Sequence, residues 1–195
     1  MMIAVIGQHE QTTQLDTMPW DVDRLENGSL RVFNITLGKT LIQEANQIFA
    51  RFGKTQLLVT TDVDKNKIYQ LITTYDELII GGLIAKIELT YQVTQEDLKK
   101  IMDSLENKQT QADTKTQLYS VNKNIEMQYL NTPVASIIYI PSIDYGLETI
   151  RQNFGQAAEE NQLNNNEQLW YYPEMGLQIY IHKTEPDQFI YAPLK

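Results

Sequence analysis

Asp62, Asp64 and Asn66 place three oxygen-bearing side chains at alternate positions, the spacing with which a calcium-binding loop opens. Such a loop also needs glycine at its sixth position and a bidentate glutamate at its twelfth, and those positions hold Lys67 and Thr73. The segment therefore reads as the polar loop of a β-hairpin between β-branched runs at 55–61 and 67–73. His9 and His182 are the only histidines, and neither has a second ligand at metal-site spacing. A serine nucleophile would have to use one of them, and no Gly-x-Ser-x-Gly turn presents a serine. Gly81-Gly82 is an isolated pair rather than a phosphate-binding loop. Glu159, Glu160, Glu167 and Glu174 would suit acid–base work if two converged, but in an acidic chain such groups usually face water. No catalytic residue, cofactor or metal ligand is assigned from the sequence.

Binding chemistry is better represented. Trp170, Tyr171, Tyr172, Tyr180 and Tyr191 form the densest aromatic group in the chain. Alternation along a strand sets Trp170 and Tyr172 on one side and Tyr171 on the other. One side should pack on helices, while tyrosines left on the other suit contact with a protein or peptide. Cross-strand pairing alone also explains aromatic strands. The five residues are the candidate interaction face.

The elements that must position them can be read from periodicity. Ile143, Leu147, Ile150 and Phe154 mark one helical face, with Ser142 as the expected N-cap and Gly155 as the stop. After a spacer, strand-like runs at 168–172, 177–181 and 188–191 are separated by turn-forming Pro173-Glu-Met-Gly176 and Thr184-Glu-Pro-Asp187. In the first half, 30–37 alternates through Phe33, Ile35 and Leu37 and reads as a strand. Thr40 with Gln43 suggests a capping box for a helix buried along Leu41, Ala45, Ile48 and Phe52 and stopped by Gly53. The two helices share their spacing and their Phe-Gly ends, and the preceding strands match Phe33, Ile35 and Leu37 to Ala135, Ile137 and Tyr139. This correspondence suggests an internal duplication. Between the halves, a turn at 79–83 leads into a strand at 84–92. Thr94 caps a helix at 95–105, a short strand is expected near 118–121, a short helix at 124–130 and a strand at 134–140.

Composition narrows the function class. With 195 residues, 42% hydrophobic content and regular periodicity, the chain can bury a full core. A net charge of -9 argues against a nucleic-acid partner, since phosphate binding needs clustered Lys and Arg. Absence of cysteine removes disulfides, thiolate chemistry and cysteine-linked lipid anchors. The opening six apolar residues before Gly7 fall far short of the roughly 20 that span a bilayer, and no basic segment leads them. They read as a hydrophobic terminus, or as the end of a signal or anchor whose start lies upstream.

The strand, Gly38-Lys-Thr40, the amphipathic helix, Phe-Gly and then Trp170-x-Tyr-Pro-Glu-x-Gly-Leu177, with Pro19-Trp20 near the start, resemble a group of uncharacterised proteobacterial proteins often membrane-anchored at the N-terminus. More distantly, the helix-then-meander plan is similar to the repeat of the outer-membrane assembly lipoprotein SmpA/OmlA and of the β-lactamase inhibitor protein. The chain lacks a lipidation cysteine, a departure from the lipoprotein pattern. The resemblance implies a non-catalytic role in the cell envelope or periplasm and carries over no site residue.

The expected architecture is α+β: two related strand–helix–β-meander units with antiparallel sheets in one packed body. They span 18–106 and 118–195, with a flexible arm at 1–17 and a polar linker at 107–117. The expected function is protein interaction through sheet faces or edges, with membrane attachment only through an upstream anchor. One alternative is a small-ligand or lipid pocket between the units lined by Phe33, Phe49, Tyr139 and Trp170. The other is an enzyme using paired carboxylates.

Overall fold

A computed structural model describes residues 14–105 and 115–193. The N-terminal hydrophobic segment, most of the expected arm and most of the expected linker lie outside them. The architecture is α+β, dominated by antiparallel sheet.

The first strand, β1 (Gln14–Leu15), falls within the expected arm, yet Leu15 is buried and β1 pairs in parallel with a later strand. Next comes a small antiparallel sheet of β2 (Asp23–Arg24), β3 (Leu30–Val32) and β4 (Ile35–Thr36). The expected continuous strand at 30–37 is thus a hairpin, because Phe33 and Asn34 adopt positive φ of 52° and 61° and turn the chain back. The matching segment at Ala135 runs straight through a long strand, so the two halves take unlike paths at the point where their strands were aligned.

Helix α1 (Ile42–Ile48) is shorter than its sequence pattern and turned by one residue. Glu44, not Gln43, reaches back to accept the Leu41 N–H at 2.8 Å, while the Thr40 hydroxyl accepts the Thr36 N–H. Ile42, Ala45 and Phe49 are buried and Phe52 is 81% exposed. Ala50, at positive φ, ends the helix in place of Gly53. Gly53 serves a different purpose: a Cβ there would lie 2.5 Å from Thr73 Oγ1, so the glycine permits close approach of neighbouring strands.

The main meander follows: β5 (Lys54–Thr61), β6 (Lys67–Ile80) and β7 (Leu83–Tyr91). Asp62 closes the first hairpin by accepting the Asn66 N–H at 2.7 Å, the role assigned to this loop in place of calcium binding. Helix α2 (Gln95–Ser104) begins at Thr94, whose hydroxyl accepts the Asp97 N–H, and buries Leu98 and Ile101 as its period requires. Strand β8 (Thr116–Ser120), helix α3 (Lys123–Tyr129), capped by Asn122, and strand β9 (Val134–Pro141) complete the centre of the chain.

Helix α4 (Gly146–Phe154) starts later than Ser142. Ser142 continues beside β7, donating its N–H to the Ile84 carbonyl, and Asp144 accepts the Gly146 N–H at 2.7 Å, which delays the first turn. Ile143 and Leu147 are therefore exposed, whereas Ile150 and Phe154 are buried and Gly155 ends the helix as expected. The last strands are β10 (Glu159–Asn164), β11 (Glu167–Tyr172), β12 (Leu177–His182) and β13 (Gln188–Tyr191), with a 3-10 turn at Pro173–Met175. Strand β10 occupies the stretch read as a spacer; all six of its residues are exposed, so no apolar alternation marks it.

Among the described residues, all strands outside the small sheet join one ten-stranded sheet, ordered β10-β11-β12-β13-β9-β7-β6-β5-β8, with β1 beside the end of β6. Strand β9 pairs with β13 on one side and β7 on the other, so the halves of the chain share a single sheet. The buried side chains of α1 to α4 and of the small sheet join one core with alternate residues of the large sheet. Trp20 straps the N-terminal segment onto this core, 5.9 Å from the Phe154 ring and 6.2 Å from that of Tyr145. Among the described residues no helix is long and apolar enough to cross a membrane.

Candidate functional site

Strand register divides the five aromatic candidates between two surfaces. Trp170 pairs with Ile179, Tyr172 with Leu177 and Tyr191 with Ile137, all on the face that meets the helices. These three aromatics are buried and make structural bonds. The Trp170 indole donates to Gln168 Oε1 at 3.1 Å and lies 4.5 Å from the Arg151 guanidinium. The Tyr172 hydroxyl donates to the Gly155 carbonyl, and burial, aided by the Glu160 charge, pushes its pKa up to about 12. The Tyr191 hydroxyl donates to the Pro19 carbonyl, tying the last strand to the N-terminal strap, and burial holds its proton well beyond neutral pH. None of the three can form an exposed contact face.

Tyr171 and Tyr180 lie on the opposite face. Tyr171, Gln178, Ile190, Ile138 and Glu88 stand in one row across β11, β12, β13, β9 and β7. Leu169, Tyr180 and Gln188 stand in the next. Each of these side chains is half-buried by its neighbours in the sheet. Among the described residues, the helices contribute their buried side chains to the core on the other face. The open face keeps a charged margin where Lys86 meets Glu88 at 2.7 Å. Sequence reasoning missed Ile138, Ile190 and Leu169 as companions of the two tyrosines. The available signal was the unbroken apolar run Ile137-Ile-Tyr-Ile140, which fills both faces of β9.

A second concave feature lies past the start of α4. A cleft of about 290 Å³ is lined by Asp144, Leu147, Gln162, Glu167, His182 and Lys183, among others. His182 Nε2 is 3.7 Å from Glu167 Oε1, a contact that becomes an ion pair when the imidazole is protonated. Asp187 is 2% exposed nearby; one carboxylate oxygen accepts the His182 N–H at 3.0 Å and the other has no hydrogen-bond partner among the described residues. Burial is the main cause raising the Asp187 pKa, the Asp144 charge adds to it, and the His182 N–H and imidazole oppose it. The cleft thus brings Asp144, Glu167 and His182 together, which their sequence separation concealed. Its lining among the described residues presents amide, carboxylate, imidazole and ammonium groups. Among the described residues no group of three His, Asp or Glu side chains is arranged to hold a metal ion.

Phe33, Phe49, Tyr139 and Trp170, the expected lining of a pocket between units, are all fully buried. Phe33 packs 5.4 Å from Tyr139, and Phe49 packs 4.7 Å from Tyr75. The four fill the core rather than surround a cavity. Compared with known proteins, the chain matches no family model, no curated protein and no solved structure.

Proposed function

We propose that this protein is a non-catalytic interaction module that docks another protein on the open face of its large sheet, centred on Tyr171 and Tyr180. One observation carries this reading: among the described residues the helices pack on one side of the sheet, and Ile138, Ile190 and Leu169 accompany the tyrosines on the other. A solvated sheet face is ordinarily polar, and apolar groups ringed by polar ones favour association. The Lys86–Glu88 pair and Gln178 supply a polar rim. The partner is a protein rather than nucleic acid, in keeping with the net charge of -9. The resemblance to envelope proteins is the ground for proposing the cell envelope as the site of the encounter, and cell fractionation tests it. The binding claim is tested by comparing partners retained by the parent with those retained by a Tyr171→Ser/Tyr180→Ser variant.

A second reading, a binder of small polar molecules, is favoured by the cleft holding Asp144, Glu167 and His182. It replaces the expected apolar pocket with a charged one. Amide chemical-shift changes confined to His182, Lys183 and Gln162 on titration with small amines and amino acids support it. Absence of any shift across such a panel removes it.

A further inference from the structure

Strand β6 outruns its neighbour β7. Its pairing with β5 reaches back to Lys67, whereas its pairing with β7 begins only at Ile72, opposite Thr90. Along 67–71 the β7 side of the strand therefore meets no strand among the described residues. At Tyr69 one side chain stands in for the missing strand. The Gln95 carboxamide, at the start of α2, accepts the Tyr69 N–H at 3.0 Å and donates to the Tyr69 carbonyl at 2.8 Å. These are the two bonds that the facing residue of an antiparallel strand makes. Backbone groups on one side of a strand recur every second residue, so the exposed Lys67 turns its own N–H and C=O the same way.

A groove of about 660 Å³ runs along this edge, lined by Lys67, Ile68 and Tyr69 from β6 and by Gln95, Glu96 and Lys99 from α2. Its charges are not balanced. Glu96 is held by Lys100 at 2.9 Å, while Lys67 and Lys99 are exposed and enter no ion pair among the described residues. In a chain of net charge -9 the groove is thus a local basic site. Ile68, 45% exposed, adds an apolar contact.

We propose that this groove binds an acidic, extended segment of a partner protein, which displaces the Gln95 carboxamide and pairs with β6 at Lys67 and Tyr69. Main-chain bonds hold such a segment, and its side chains select it. Carboxylates on the segment meet Lys67 and Lys99. A pairing this short has a precedent on the same strand, because β1 joins β6 over two positions at its other end. The site is separate from the face of Tyr171 and Tyr180, and the inference does not rest on that reading.

The probe is the capped peptide Thr-Glu-Val-Glu-Thr-Glu-Val-Glu, titrated into the full chain and followed by amide chemical shifts. Three controls accompany it: the peptide with lysine for glutamate, a fully N-methylated form without backbone donors, and oligothymidylate. The acidic peptide should shift the Lys67 and Tyr69 amides and the Gln95 carboxamide. Lys67→Glu/Lys99→Glu should keep the parent's circular dichroism and bind at least about tenfold more weakly. Gln95→Ala, which removes the competing side chain, should bind about threefold tighter or more. Absence of shifts at those three groups overturns the inference, as does equal binding of the lysine or N-methylated peptide. Unchanged affinity in the double lysine variant, or a folded Gln95→Ala that binds no tighter than the parent, also overturns it. Tighter binding of oligothymidylate than of the peptide would assign the groove to nucleic acid instead.

Discussion

Trp170 and Tyr171 are adjacent in β11 and stand back to back across the large sheet. Trp170 opposes Ile179 in the core beneath Arg151, and Tyr171 opposes Gln178 on the open face. One strand therefore supplies a structural anchor and a contact residue from the same aromatic run. Trp170→Ala leaves a cavity and should cost about 3–5 kcal/mol of stability. Tyr171→Ser, on the half-buried face, should cost no more than about 1 kcal/mol. Urea denaturation of the two variants separates the roles; equal costs would mean that the division of faces is wrong.

Helix α1 gives a test of register. Phe49 is fully buried against Tyr75, 4.7 Å between rings, and Phe52 is 81% exposed. Phe49→Ala should destabilise the protein by about 3–5 kcal/mol, whereas Phe52→Ala should stay within about 0.5 kcal/mol. The sequence stripe Leu41, Ala45, Ile48 and Phe52 makes the opposite prediction for Phe52. Thermal unfolding of the pair distinguishes the two.

Asp187 makes stability depend on pH with a definite sign. Its carboxyl is raised above the ordinary value, chiefly by burial. The folded chain therefore takes up the proton more readily than the unfolded one. The associated stability is fully present below the unfolded pKa of about 3.9 and is lost as pH rises through the higher folded value. Asp144 and His182 are the charged neighbours that modulate it. Asp187→Asn retains an oxygen to accept the His182 N–H and carries no charge. Its melting temperature relative to the parent should rise between about pH 4 and about pH 7. A difference that stays constant across that range contradicts the assignment of a buried, ionising Asp187.

What the sequence revealed followed from local chemistry. Thr94 with Asp97 announces α2, and the Asp62–Asn66 loop announces its hairpin, because capping and turn bonds span only a few residues. The strands around Trp170, Tyr180 and Tyr191 were legible from β-rich runs between turns. Features decided by neighbours distant in the chain were not. The Phe33-Asn34 turn breaks an alternating pattern because Phe33 drops between Tyr139 and Tyr191. The register of α1 is fixed where Ile42 and Gln43 donate to the Thr132 and Leu130 carbonyls. Strand β10 carries no apolar alternation, and its pairing with β11 defines it. The same limit hid the candidate site: Ile138 and Ile190 meet Tyr171 and Tyr180 only after four strands are laid side by side.

The central claim is that Tyr171 and Tyr180 mark a docking surface. Its most direct measurement is quantitative mass spectrometry of proteins retained from cell extract by three immobilised forms: the parent, Tyr171→Ser/Tyr180→Ser and Phe52→Ser. Phe52 is exposed but lies off the large sheet, so it controls for surface hydrophobicity. The account predicts at least one protein held equally by the parent and Phe52→Ser and lost, by about tenfold or more, from the tyrosine variant. The same retained set on all three forms would contradict it.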